Sequence, residues 1–312
     1  MSDAIVIERL TKHYGSRRVV DTVNLRVPAG CVYGFLGRNG AGKSTLIKML
    51  MGLVQTDSGR ASLLGDDSRD LAPATRARIA YLAEGHPLYR GMSVGEAVRF
   101  TRSFYVGAPF PAVWHDRFVR QVLDHFRISP RAKIRRLSNG QRAQVSLALA
   151  LAPDPDLLVL DDPTLGLDTV VRRDFLESII QLIQRSGRTI FFSSHMLADV
   201  ERVADRIGIL VDGVLRVDCP TDHFKSAVRR VVLEFVGAAP RFPACPGLVS
   251  QRQIGGTLEL VMVDYTEQHA ATANALGATN IEVMEMNLED AFIAYTRGAA
   301  SPLPTIEWEV AR

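Results

Sequence analysis

The chain has few cysteines, little net charge and no long apolar run. Only three cysteines occur in 312 residues, Cys31, Cys219 and Cys245, far apart and without a C-x-x-C pair. That excludes a disulfide framework and a cysteine-rich zinc site, and it suits a reducing cytoplasm. Thirty-seven Lys and Arg stand against 34 Asp and Glu, a net +3. Such a balance argues neither for nor against nucleic acid. The most apolar stretch, Val145 to Leu160, is broken by Pro153-Asp-Pro-Asp156. Nothing therefore reaches the ~20 uninterrupted apolar residues that a membrane helix needs. The first eight residues lack a basic segment followed by an apolar run, so no signal peptide is expected. No internal repeat is visible. What is present is a hydrophobic content of 47% and a length suited to two domains.

Residues 3–30 read as strands and turns, with Ala4–Ile7, Arg18–Val20 and Val23–Val27 as the strand cores. Alternation in Val23-Asn-Leu-Arg-Val27 marks a half-buried strand. From about 75 to 135 the spacing becomes helical, in Val94–Tyr105 and Trp114–Phe126, with Val98, Val119, Val122 and Phe126 on the apolar face. Arg90, Arg99, Arg102, Arg117, Arg120, Arg127, Arg131, Lys133, Arg135 and Arg136 stud this segment. The preferred reading is the solvated face of amphipathic helices; the alternative is a docking surface for a partner or for anionic headgroups. Residues 157–220 alternate strand and helix: Leu157–Leu160, Val171–Ile183, Thr189–Ser193, Leu197–Val203 and Arg206–Leu210. This predicts a parallel sheet with helices on its faces. Asp212-Gly213 signals a hairpin. After Pro220 the texture changes. Val231–Val236 and Thr257–Val263 read as strands, Gly237–Gly247 as a loop and Leu288–Tyr295 as a short helix. The expectation is a main domain over 1–220, a small second domain over 221–298, and a poorly ordered tail from Ala299 onward, where Pro302 and Pro304 fall.

Residues 37–45 carry the strongest signal: Gly37, Arg38, Asn39, Gly40, Ala41, Gly42, Lys43, Ser44 and Thr45 fit G-x-x-x-x-G-K-[ST] in full. The glycines let the backbone turn its N–H groups toward an anion. Lys43 brings a compact positive charge to the β- and γ-phosphates, and Ser44 a hydroxyl for Mg²⁺. Cys31–Leu36 ahead of the loop reads as a buried strand. Thr45–Met51 behind it reads as a helix whose N-terminus faces the phosphates.

Downstream motifs narrow the class. Leu157-Leu-Val-Leu-Asp161 is an apolar strand ending in a carboxylate, placed to hold Mg²⁺ through its water shell. Asp162 follows and projects the other way, where it can orient an attacking water. Pro163-Thr-Leu-Gly-Leu-Asp168 comes next. About twenty residues earlier stands Leu137-Ser-Asn-Gly-Gln141. Ser138 with Gln141 forms a capping box that opens a helix, and its bare N–H groups make a second phosphate site. His195 ends a further strand, from which it can reach a γ-phosphate.

Over about 3–220 the chain resembles the ATP-binding-cassette (ABC) ATPases, the motor subunits of ABC transporters, with the motifs in family order. The resemblance implies an α/β P-loop NTPase of ABC-ATPase type: a mixed sheet, an antiparallel β subdomain and a helical signature subdomain over about 85–150. A small α+β C-terminal domain would follow. Leu137–Gln141 matches the family signature Leu-Ser-Gly-Gly-Gln, so Ser138, Asn139, Gly140 and Gln141 would contact nucleotide. Leu165–Asp168 corresponds to the loop that crosses the dimer and His195 to the switch histidine. Tyr14 stands where the family stacks an aromatic on adenine. Glu84 stands where a Gln usually senses the γ-phosphate and metal. The implied cofactors are ATP and Mg²⁺, with Ser44, Glu84 and Asp161 at the metal. Asp162, His195, Lys43 and Glu84 are the implied catalytic group. Implied partners are a transmembrane permease, docked near 85–110, and a second cassette, identical or paralogous, paired head to tail. No nucleic acid is expected. Localisation would be peripheral, at the cytoplasmic face of the membrane, or cytoplasmic if the chain is alone. Glu84, the single-cassette layout, the Thr-Leu-Gly-Leu-Asp loop and Leu288-Glu-Asp-Ala-Phe292 are similar to exporters with separately encoded membrane subunits.

The sequence departs from the family at two places. Asp162 replaces the usual Glu. Losing one methylene retracts the carboxylate by about 1.5 Å, and misplacement of roughly 1 Å can cost on the order of 10²-fold in rate. The expectation is intact binding with slow hydrolysis; the opposing reading is that the backbone compensates. Asn139 stands where Gly is usual, and Asn tolerates left-handed backbone angles. Competing classes are a soluble cassette ATPase acting on ribosomes or DNA, and a nucleotide-gated switch paired with a competent second cassette. One phosphate loop and no long coiled coil disfavour the former; Asp162 supports the latter. An unrelated GTPase lacks its Asn-Lys-x-Asp motif here.

Overall fold

The structure, a computed structural model, describes residues 2–168, 171–173, 175–176, 187–297 and 304–307. Two compact units emerge: Met1–His195 with Asp212–Val214, and Met196–Val211 with Leu215–Arg312.

The first unit begins with two long strands, β1 (Asp3–Tyr14) and β2 (Arg17–Pro28), then β3 (Val32–Leu36), helix α1 (Lys43–Leu50), β4 (Ser58–Leu63) and β5 (Asp66–Asp67). Helix α2 (Pro73–Arg76), β6 (Ile79–Leu82), helices α3 (Val94–Arg102), α4 (Asp116–His125) and α5 (Asn139–Leu151), then β7 (Leu157–Leu160) and β8 (Thr189–Ser194) complete it. An antiparallel sheet runs β2-β1-β4-β5. β1 and β2 extend well past the short runs read from sequence, through register shifts that absorb their irregular apolar spacing. The other strands form a parallel array in the order β3-β8-β7-β6. Every residue of β3, β7 and β8 is buried. Continuous burial is what covering on both faces demands, and it explains their near-continuous apolar runs. The array has one functional consequence: the C-terminal ends of its strands lead directly into Gly37, Asp161, His195 and, two residues on, Glu84. Such an edge is where open α/β sheets bind ligands.

Between β6 and β7 the helices build a core of their own. Val94, Ala97, Val119, Leu123, Ile134, Val145 and Leu149 are buried together, with Val98 and Phe126 packed against them. Leu123, not Val122, fills the buried position beside Val119 on α4.

The second unit holds α6 (Leu197–Val203), β9 (Arg206–Val211), most of β10 (Val214–Pro220), α7 (Thr221–Ala227), β11 (Val228–Glu234), β12 (Leu248–Ile254), β13 (Thr257–Val263), α8 (Glu267–Ala275), β14 (Asn280–Glu285), α9 (Leu288–Arg297) and β15 (Ile306–Glu307). An antiparallel sheet runs β12-β13-β11-β14 over a core including Phe242, Leu258, Leu260 and Met262. The division at 195/196 precedes the 220 boundary read from composition. Its cause is α9, which packs on α6, α7 and β9; Tyr295 lies 5.7 Å from Phe224, ring to ring. The Asp212-Gly213 turn has φ of 48° and 82°, the paired positive values that a two-residue hairpin needs. Of the tail, Ile306 and Glu307 pair in parallel with Val217 and Asp218. Residues 298–303 and 308–312, and most of the helix expected over 171–183, lie outside the described residues. No helix among the described residues is long and apolar enough to cross a membrane.

Candidate functional site

The phosphate-type loop leaves β3 and enters α1. Gly40 (φ 81°) and Gly42 (φ 110°) adopt left-handed backbone, which a side chain would strain. Gly42 caps α1 without a side-chain bond, so the first N–H groups of that helix stay open to an anion. Lys43 is buried, and its Nζ donates to Gly37 O at 2.6 Å and Arg38 O at 3.3 Å. Burial pushes its pKa down, against the opposing pull of Asp162, Asp161 and Glu84. Those three carboxylates, two adjacent beyond β7 and one beyond β6, therefore converge on one ammonium. The loop is also steadied from the β1–β2 hairpin, where Arg17 Nη2 donates to Gly40 O at 3.3 Å.

Ser44 Oγ donates to Asp161 Oδ1 at 3.0 Å. Ser193 Oγ donates to the same oxygen at 2.9 Å and accepts the Asp162 N–H at 2.9 Å. Asp161 Oδ2 is buried with no partner. A buried carboxylate oxygen facing a hydroxyl fits a hard cation that takes few protein ligands and keeps water and phosphate oxygens. Ser44 and Asp161 are thus the residues that could hold Mg²⁺. Asp162 sits in left-handed backbone, φ 43°, and is buried. Its Oδ2 lies 2.6 Å from His195 Nδ1, while Oδ1 has no partner. Burial raises the Asp162 pKa, opposed by His195 and Lys43. A carboxylate held by an imidazole, with one oxygen spare, can orient water or accept a proton.

A family model described as ABC transporter matches residues 20–165. The chain is 34% identical over 237 residues to the bacitracin transport ATP-binding protein BcrA of Bacillus licheniformis, 75% of each chain. It is 31% identical over 301 residues to the Nod factor export ATP-binding protein I of Paraburkholderia xenovorans, 94% of this chain and 97% of that one. The chain belongs to the ATP-binding subunits of ABC transporters. A solved ATP-binding subunit of an ABC transporter has a TM-score of 0.64 at 27% identity, covering 72% of this chain and 92% of that one. A dimeric ATP-binding cassette in a post-hydrolysis state with ADP and Pi has a TM-score of 0.61 at 22% identity, over 69% of this chain; this likeness speaks for the fold alone.

The remaining candidate residues of the cassette sit on other elements of the first unit. Tyr14 ends β1, half exposed, with Lys12 Nζ 5.5 Å from its ring centroid. Glu84 is exposed just beyond β6. Ser138 heads α5, its Oγ accepting the Gln141 N–H at 3.1 Å while Gln141 Oε1 accepts the Ser138 N–H at 3.1 Å. Asn139 Nδ2 donates to Gly166 O at 3.4 Å, and a Cβ on Gly140 would meet Val171 Cγ1 at 2.8 Å. The signature turn therefore rests on Gly166 and Val171 of its own chain. Ser193 and Arg17 were not singled out from sequence. Ser193 had a signal, a hydroxyl two residues before His195 on a strand parallel to the one ending at Asp161; Arg17 had none.

Proposed function

We propose that this cassette hydrolyses ATP between two subunits and drives a separately encoded membrane permease in the direction of export. The observation that carries the reading is the convergence of Lys43, Ser44, Asp161, Asp162 and His195 at the strand ends of one parallel array. Gly37–Thr45 would hold the phosphates of one ATP, and Ser138–Gln141 of the opposite subunit would close over it. Tyr14 would stack on adenine. Mg²⁺ at Ser44 and Asp161 would neutralise charge on the β- and γ-phosphate oxygens. Asp162 would orient water toward the γ-phosphate, with His195 fixing its carboxylate and Glu84 sensing the bound state. Contacts that exist only with ATP in place would then favour the paired state, and hydrolysis would release it. The permease would dock on 85–110, where Tyr89 and Phe100 stand exposed, edge to face at 5.5 Å. The assignment to export rests on relatives named for bacitracin transport and Nod factor export. The chain would then work at the cytoplasmic face of the membrane.

A second reading, a slow switch beside a competent partner cassette, is favoured by Asp162. Its shorter carboxylate is held back by His195 through Oδ2, so only Oδ1 is left to reach toward the γ-phosphate. Steady-state ATP hydrolysis separates the two, with wild type beside Asp162→Glu and Lys43→Ala. Wild type near the Lys43→Ala background, with Asp162→Glu up to about a hundredfold faster, supports the switch. Brisk wild-type turnover with no gain in Asp162→Glu supports the symmetric motor. ATP binding and hydrolysis by Lys43→Ala equal to those of wild type would sink both.

A further inference from the structure

Charge is unevenly placed along this chain. Residues 85–137 hold ten Lys and Arg against three Asp and Glu, a net +7, while the whole chain is only +3. Two of the three acids are engaged locally. Glu96 pairs with Lys133 at 3.3 Å. Asp116 accepts from Arg102 at 3.1 Å and from the Trp114 indole at 2.9 Å. The third, Asp124, is exposed late on α4. Arg99, Arg117 and Arg120 are exposed and have no carboxylate within 4.0 Å among the described residues.

These arginines surround the connection from α3 to α4. Arg99 lies in the last turn of α3, Arg117 in the first turn of α4 and Arg120 one turn on. Arg99 and Arg120 line one cavity of about 310 Å³, together with Asp116 and apolar walls that include Val98 and Leu123. The loop itself presents apolar side chains to solvent: Phe104 is 60% exposed, Val106 48% and Val113 49%. They stand on the loop and not on the cavity walls. Exposed apolar groups beside unpaired cations are the two elements of an interfacial segment. The apolar side chains enter the headgroup boundary while arginines meet anionic headgroups.

We propose that the α3–α4 loop, with Arg99, Arg117 and Arg120, binds the anionic surface of a lipid bilayer. This attaches the cassette to the membrane when no permease covers the segment, since Arg99, Phe104 and Val106 fall within the stretch proposed for permease docking. A diffuse set of cations matches the diffuse field of a charged bilayer; it offers no fixed partner geometry of the kind a single acidic side chain would select.

The test is flotation of the full chain with phosphatidylcholine vesicles, with and without phosphatidylglycerol. Retention is expected only with phosphatidylglycerol, and it fades as salt is raised. Each arginine replaced by Gln weakens retention about fivefold, and the triple Arg99→Gln, Arg117→Gln, Arg120→Gln variant about a hundredfold. Phe104→Ser with Val106→Ser weakens it as well. All five positions are at the surface, so unchanged melting temperature and nucleotide affinity identify folded variants. No retention, equal retention on phosphatidylcholine alone, or a triple variant as well retained as wild type overturns the proposal. So does capture on a polyglutamate matrix without vesicle retention, which assigns the cations to an acidic protein segment.

Discussion

Ser193 occupies the middle of the candidate site although nothing marks it as reactive. One hydroxyl donates to Asp161 and accepts the backbone N–H of Asp162, so it sets the spacing of the two carboxylates. It is fully buried, and no water replaces it easily. Ser193→Ala leaves that N–H without an acceptor, at a cost of roughly 1–3 kcal/mol. The expected result is a lower melting temperature together with weaker Mg²⁺-dependent nucleotide binding, read by thermal unfolding and by titration with and without Mg²⁺. Unchanged melting would remove Ser193 from this role. The residues around it divide by legibility. Lys43, Ser44, Asp161 and His195 could be read because each closes a short apolar strand or a glycine loop. Arg17 could not, because its contact to Gly40 exists only once the hairpin lies over the loop. The raised pKa of Asp162 was equally invisible, since burial is a property of the fold.

Helix starts illustrate what local pattern settles. Ser138 and Gln141 form the capping box that their spacing implies. Ser93 and Glu96 have the same spacing and form one too, with Glu96 Oε2 accepting the Ser93 N–H at 2.5 Å. That bond, aided by Lys133, lowers the Glu96 pKa from 4.5 to about 2. A depressed carboxylate stabilises the fold above its unfolded value and stops doing so as pH falls through its folded value. The start of α3 is therefore expected to loosen between pH 4.5 and about 2. Amide exchange at Val94–Ala97 should show this in wild type and not in Glu96→Gln. Strands β3, β7 and β8 were legible because burial on both faces leaves continuous apolar runs. β12 and β14 were not: they are partly exposed, and β14 mixes Ile281 and Val283 with Glu282 and Glu285. Their strand character comes from pairing with β13 and β11.

At the scale of the whole chain, the boundary at 220 followed a real change in texture but not the packing. α6, β9 and β10 continue the alternation of strand and helix, so sequence assigns them to the first domain. In the fold α9 packs on α6, α7 and β9, all grouped with it in the second unit. Every group converging on Lys43 belongs to the first unit, while the β11–β14 sheet has a separate core. Stability of that core and affinity of the nucleotide site should then respond to different substitutions. Leu260 is fully buried among Val231, Leu258 and Met262. Leu260→Ala is expected to cost about 2–5 kcal/mol through the cavity it leaves, seen as an earlier unfolding transition. Below that transition, affinity for a fluorescent ATP analogue should stay within twofold or so of wild type, because Leu260 shares no partner with the groups around Lys43. A large loss of affinity at temperatures where Leu260→Ala is still folded would show that the second core shapes the site, and would make the C-terminal unit a regulator of nucleotide binding.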